Sequence, residues 1–294
     1  MAEEIRSAFI DEVMAIERVD NWTRHILTQK AQSVVVLSFF PARYTANVLV
    51  NMMSTKINKA VEWKNKSMDY FLQVSAFMAP SWTAPMHHPL VDRRRGMSIF
   101  DTDCHFNPEK NVVVLPLAFY NLSVPTSQKE RMFHIPRIGP RLTDCLFRAT
   151  FATNFFMPND YYWTNYASSN FDETAKCFGG HYKKNQNASM FTRVEESSGI
   201  VVAFEAFEDR LFSKQYLQMD YILDGLPDVT ADQLFFIYYA LSHCEMSAQG
   251  STASMMNAEE RVNVPLMNSF EFSAAFKCAN DSKMNPSNKC SFWD

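Results

Sequence analysis

Residues 138–151, IGPRLTDCLFRATF, decide the fold of this chain. Leu142, Leu146 and Phe147 recur at helical spacing behind a Gly-Pro pair. Pro140 suits the first turn of a helix, where its missing N–H costs nothing. Three residues interrupt the apolar face: Asp144, Cys145 and Arg148. Asp144 and Arg148 lie four apart and share one side of the helix, whereas Cys145 diverges from Asp144 by about 100 degrees. On a solvated surface such an ion pair contributes only about 0.3 kcal/mol. An acid, a thiol and a guanidinium on an otherwise apolar helix therefore need a reason from the rest of the chain.

Moving outward, 294 residues suffice for one large domain or two modest ones. Apolar residues make up 47% and charged residues 20%, which is a globular rather than a disordered composition. The net charge of -4 gives no reason to expect nucleic acid as a partner. Only 7 glycines occur, none in a phosphate-binding pattern, so nucleotide chemistry of the Gly-rich-loop kind is excluded. The longest apolar runs, SVVVLSFF and VVVLPLAFY, are too short to span a bilayer. The N-terminal MAEEIRSAFI lacks the apolar core of a signal peptide. Six cysteines and sequons at Asn21, Asn65, Asn121, Asn187 and Asn280 nevertheless favour an exported surface. Together these predict a chain that lacks an N-terminal portion, as a truncated gene product or a shortened paralogue.

Along the chain, Ile5, Phe9, Val13 and Ile16 predict a first helix, and a second helix begins near Asn21 and ends near Lys30. Residues 44–78 carry a further helical pattern. PSWTAPMHHPLVDRRRG, 80–96, reads as an irregular surface connection with a solvated arginine run and exposed histidines. Asn107-Pro108 is a turn signal between two β-prone segments. Helices are predicted over 202–212 and 231–244, the latter apolar enough to be central, and a short one in the tail.

QLFFIYYALSHC (233–244), RVNVPLMNSFEFSAAFKC (261–278) and MNPSNKCSFWD (284–294) resemble the C-terminal end of the neprilysin and endothelin-converting-enzyme family of zinc metallopeptidases. EIRSAFIDEV, DCHFNPEKNVVVLPLAF and WTNYASSNFDETAKC resemble further family segments in the same order. The resemblance implies a mainly α-helical α+β fold, a thermolysin-like (gluzincin-type) catalytic lobe. It divides the chain into residues 1–32, a helical remnant of the family's second domain, and residues 33–294, the peptidase domain. In the family the opening helix carries His-Glu-x-x-His, two zinc-binding imidazoles on one face with a glutamate base between them. The matching positions are Asp144, Cys145 and Arg148. In FTRVEESSGIVVAFEAF, the third ligand matches Thr192 and its supporting acid Glu196, with Glu195 the alternative if the loop before it slides. Asp103 and Cys104 match the family's substrate-binding Asn-Ala pair. Arg261 matches its substrate-facing Arg, and Met255 its transition-state His; a thioether donates no hydrogen bond to an oxyanion.

The resemblance also implies that Cys177 pairs with Cys290. Cys244 and Cys278 match cysteines whose partners this chain lacks, and they pair together, stay free or bind a second chain. Cys104 and Cys145 have no counterpart, and packing decides whether they bond. An intact catalytic zinc is not expected, because Arg148 places a permanent cation there. Arg148 pairs with Asp144 and with Glu196 across two helices, or points to solvent. The expected function is a pseudopeptidase, extracellular or at the cell surface, binding peptides or modulating an active relative. The alternatives are a functional zinc endopeptidase with a rebuilt site and a non-functional truncated paralogue.

Overall fold

The structure is a computed structural model and describes residues 1–38, 102–108, 110–120, 133–152, 163–183, 188–212, 225–244 and 257–294. The chain starts with α1 (Ala2–Ala15) and α2 (Asn21–Ser33) and continues into β1 (Val35–Ser38). Next come β2 (His105–Asn107), β3 (Val112–Leu115) and a 3-10 turn (Leu117–Tyr120). The long helices are α3 (Ile135–Phe151), α4 (Asn165–His181) and α5 (Met190–Phe212), followed by α6 (Ala231–Ser242), α7 (Ala258–Asn268) and α8 (Phe270–Ala275). The mainly helical α+β class is as expected.

The sheet has three strands in the order β1-β3-β2, with β1 parallel and β2 antiparallel to β3. Val112, Val113, Val114 and Leu115 are all buried, as a central strand covered on both faces requires. The turn before β3 closes as its Asn-Pro pair predicts. Asn107 Oδ1 accepts from the Lys110 amide at 3.2 Å, and Asn111 takes a φ of 52°, a conformation asparagine tolerates.

α3 is the axis of the lobe and packs against α1, α2, α5, α6 and β2. Leu142, Leu146 and Phe147 are buried as their spacing predicts. The helix begins a turn earlier than expected: Pro136 takes the first-turn role, and Pro140 sits inside, withholding the amide that would bond to residue 136. α5 approaches α3 closely because small residues meet. A Cβ on Gly139 would fall 2.7 Å from Ala203 Cβ, and one on Gly199 would fall 2.9 Å from the Pro140 carbonyl oxygen. The C-terminus enters the same core. Phe292 lies 5.0 Å from both Phe147 and Phe151, and Trp293 stands edge-on to Phe9 at 5.9 Å and donates its indole N–H to the Ser198 carbonyl at 3.1 Å. The predicted central helix 231–244 buries Leu234, Phe235, Phe236 and Tyr239, but Ile237 and Leu241 face outward, so it flanks the core.

Asp20 ties the first helices to the lobe. It caps α2, accepting from the amides of Trp22 and Thr23 at 3.1 and 3.0 Å. It also accepts from Thr164, which itself caps α4. Burial raises its pKa, but the hydrogen bonds from Thr164 and Thr23 together hold it down at about 2. No helix among the described residues is long and apolar enough to cross a membrane.

Candidate functional site

The three polar interruptions of α3 face different partners. Cys145, 1% exposed, is bonded to Cys104 at the start of the β2 segment, so two positions that the sequence resemblance matched to the base and to the substrate-facing pair are covalently joined. The 100-degree divergence from Asp144 makes this possible: the thiol turns toward the sheet while Asp144 and Arg148 turn toward α5. Asp103, the other member of that pair, is exposed and His105 points away from Cys104, as strand alternation predicts.

Arg148 ion-pairs with Glu195 of α5. This corrects the expectation that it pairs with Asp144 and Glu196. Glu195 is 2% exposed, whereas Arg148 remains half in solvent and reaches down onto it. Glu196 instead accepts from Arg261 Nε at 3.0 Å, and both members of that pair are largely buried. Asp144 lies between the two pairs. Its Oδ1 is sealed from solvent without a hydrogen-bond partner, and it sits 3.2 Å from where a side chain on Gly199 would begin. Burial, then repulsion from Glu196 and Glu195, pushes the Asp144 carboxyl well above its usual range, against the pull of Arg148 and Arg261. Burial also lifts Glu195, to about 7, although Arg148 opposes it. Two glutamates thus face two guanidiniums, and Asp144 is the acid whose charge burial most disfavours.

At the rim, burial and then Arg261 and Arg141 press His243 down to about 4, leaving a neutral imidazole stacked edge-on to Tyr239 at 4.9 Å. Tyr239 donates to the Arg261 carbonyl at 2.9 Å, which steadies the arginine's helix. Thr192, which the sequence resemblance matched to the third ligand, is occupied locally: its hydroxyl shares a 2.7 Å hydrogen bond with Ser189 just before α5. Met255 lies outside the described residues. Among the described residues, no group of three His, Cys, Asp or Glu side chains is arranged to hold a metal ion.

Elsewhere, Cys177 is bonded to Cys290, which fastens the C-terminal segment to α4. Cys244 and Cys278 are free, the former exposed. Asn21 and Asn280 are exposed; Asn65, Asn121 and Asn187 lie outside the described residues, as do the histidine and arginine runs of 80–96. Reasoning from sequence missed the pairing role of Glu195 and the rim residue His243. Neither carries a motif signal, since both act through burial.

Comparison with known proteins bears on this arrangement. Residues 158–292 match the model of peptidase family M13. Neprilysin-3 of Drosophila melanogaster is 23% identical over 313 residues, covering 100% of this chain and 39% of its own length. An endothelin-converting enzyme homolog of Locusta migratoria is 24% identical over 315 residues, covering 100% of this chain and 42% of its own. Among solved structures, a zinc metalloprotease of Mycobacterium tuberculosis in complex with inhibitor superposes with a TM-score of 0.66 at 16% identity, covering 100% of this chain and 46% of that one. That likeness is one of fold. The chain spans about two-fifths of the length of these curated relatives.

Proposed function

The chain is a relative of the neprilysin and endothelin-converting-enzyme family, and on that premise we propose that it is a catalytically inactive homologue, a pseudopeptidase. The observation that carries this reading is the seam between α3, α5 and α7, where Arg148 and Arg261 hold Glu195 and Glu196. Zinc needs three or four deprotonated or neutral donors converging on one point. Here the only thiol on that helix is spent in the bond to Cys104, and each glutamate is engaged by a guanidinium. Burial and the two neighbouring glutamates work against an ionised Asp144. Two arginines, which do not deprotonate in proteins, oppose a divalent cation between them. The residues present do not fit the metal.

The remaining role for such a lobe is recognition: binding peptides in what is left of the groove, or modulating an active relative. Arg261 and Asp103 are the groups that remain at the family's substrate-facing positions, while Cys104 is buried in its disulfide. We read α1 and α2 as the remnant of a second domain that still packs on the lobe. Two disulfides and exposed sequons at Asn21 and Asn280 support an extracellular or cell-surface location. The test is metal analysis of the purified, oxidised chain together with peptide cleavage with and without chelator. The expected result is zinc far below one equivalent and no chelator-sensitive cleavage. Stoichiometric zinc with cleavage that chelator abolishes overturns the reading.

A further inference from the structure

The two disulfides among the described residues have different surroundings. Cys104 and Cys145 are 6% and 1% exposed. Cys290 is also closed off, but its partner Cys177 on α4 is only partly buried. Cys290 lines a cavity of about 160 Å³ with Ser197, Asn268 and Ser291, which gives water a route to the sulfur. The C-terminal ends of α4 and α7 meet at this bond. His181 closes α4, and its Nδ1 lies 3.6 Å from Cys290 Sγ. Asn268 closes α7 and fixes the ring. Its Oδ1 accepts from the Cys290 amide at 2.7 Å and its Nδ2 donates to the Val264 carbonyl at 2.8 Å, so the side-chain amide fits only one way round. The same Nδ2 donates to His181 Nδ1 at 3.1 Å, so that nitrogen carries a lone pair and the ring proton sits on Nε2. Burial lowers the His181 pKa, although the Asn268 bond opposes it, which keeps the imidazole neutral at neutral pH. A positioned base thus faces one sulfur of a disulfide whose other sulfur is within reach of solvent.

We propose that Cys177–Cys290 is a thiol–disulfide exchange site, opened by a dithiol reductant, with His181 as the group that moves the proton. The attacking thiolate meets the Cys177 sulfur, the more accessible of the two. A new S–S bond forms to Cys177 and the Cys177–Cys290 bond breaks. The electron pair stays on Cys290 Sγ, which collects a proton through His181 Nδ1. The second thiol of the reductant then displaces Cys177 and leaves as the oxidised dithiol, so two electrons have passed to the protein and two thiols remain. In the closing direction Nδ1 takes the Cys290 proton and frees the thiolate that attacks. The C-terminal strap stays docked while the bond is open. Asn268 holds the Cys290 amide, Trp293 donates to the Ser198 carbonyl, and Phe292 packs 5.0 Å from Phe147 and Phe151. The Cys104 sulfur instead lies 3.0 Å from the Arg141 carbonyl oxygen, which cannot pass on a proton.

The test is timed reduction of the full oxidised chain with dithiothreitol under native conditions, the freed thiols being trapped by alkylation and located by mass spectrometry. Cys177 and Cys290 are expected to label about tenfold faster than Cys104 and Cys145, or more. Equal rates, or earlier opening of Cys104–Cys145, overturns the proposal, and this arm needs no variant. His181→Gln keeps an acceptor for Asn268 but takes up no proton at neutral pH. It is expected to slow both the opening and the re-closing of Cys177–Cys290 by about tenfold or more and to leave Cys104–Cys145 unchanged. A ring that only packs would act the other way, since its loss loosens α4 and speeds opening. Wild-type or faster opening in His181→Gln therefore overturns the role of the imidazole.

Discussion

Helix α5 carries acids at both ends, and the surroundings of the two groups differ. Near its N-terminus, Glu195 and Glu196 are met by Arg148 and Arg261 from two other helices. In its C-terminal half, burial raises both Glu205 and Glu208, and repulsion from Asp209 adds to the shift of each. A buried acid must shed its charge or find a counter-charge, because desolvation of a lone carboxylate is too costly. Guanidinium supplies a permanent counter-charge that pH does not alter in the working range. Where burial alone raises an acid, the charge returns as pH rises through the shifted pKa.

Removing a guanidinium breaks the contrast most sharply. Arg261→Met leaves Glu196 buried without its partner and is expected to cost about 3–5 kcal/mol in denaturant unfolding. A loss below about 1 kcal/mol would mean that Glu196 simply turns to water and that the seam neutralises nothing. Arg148→Met is expected to cost less, about 1–3 kcal/mol, because the arginine is 50% exposed while Glu195, left behind, is 2% exposed. Its effect has a pH signature. Glu195 is raised on folding, so its share of stability is present below about 4.5 and lost as pH rises through about 7. Arg148 lowers Glu195, so the variant should carry that loss to higher pH; an unchanged profile would show the pair is incidental. The smallest effect lies at the other end of α5. Asp209→Asn removes a like charge that raises Glu205 and Glu208, and a gain within about 0.5 kcal/mol is expected by thermal unfolding. A clear loss there would reveal a cation serving the acids and erase the difference between the two ends.

Some of this was legible early. The periodicity of α1 and of the helix around Leu142 and Phe147 is local and strong, and the turn at Asn107-Pro108 is punctuated by its own residues. α4 and α7 escaped notice. α4 opens on the largely polar NYASSN, and its narrow apolar stripe of Ala167, Phe171, Ala175 and Phe178 is supplemented by the Thr164 cap and the disulfide at Cys177. α7 contains Pro265, which reads as a breaker, yet the helix runs through it for one more turn. At the site, residue types alone single out Asp144, Cys145 and Arg148 as polar interruptions of an apolar helix, whereas the partners of Arg148 and of Cys145 are not legible there.

What the sequence by itself determined was chemistry at fixed positions: an acid, a thiol and an arginine on one helix, acids at both ends of another, and a composition that builds a helical lobe. Which of these meet was decided only by the tertiary structure. Asp144 is four residues from Arg148, yet Arg148 pairs with Glu195, 47 positions away in the chain and far more in need of a counter-charge once buried. Gly139 and Gly199 allow the two helices to close to that distance. Helical spacing is set by bonds that span four residues. Burial, and the penalty it imposes on a charge, exists only when distant surfaces come together.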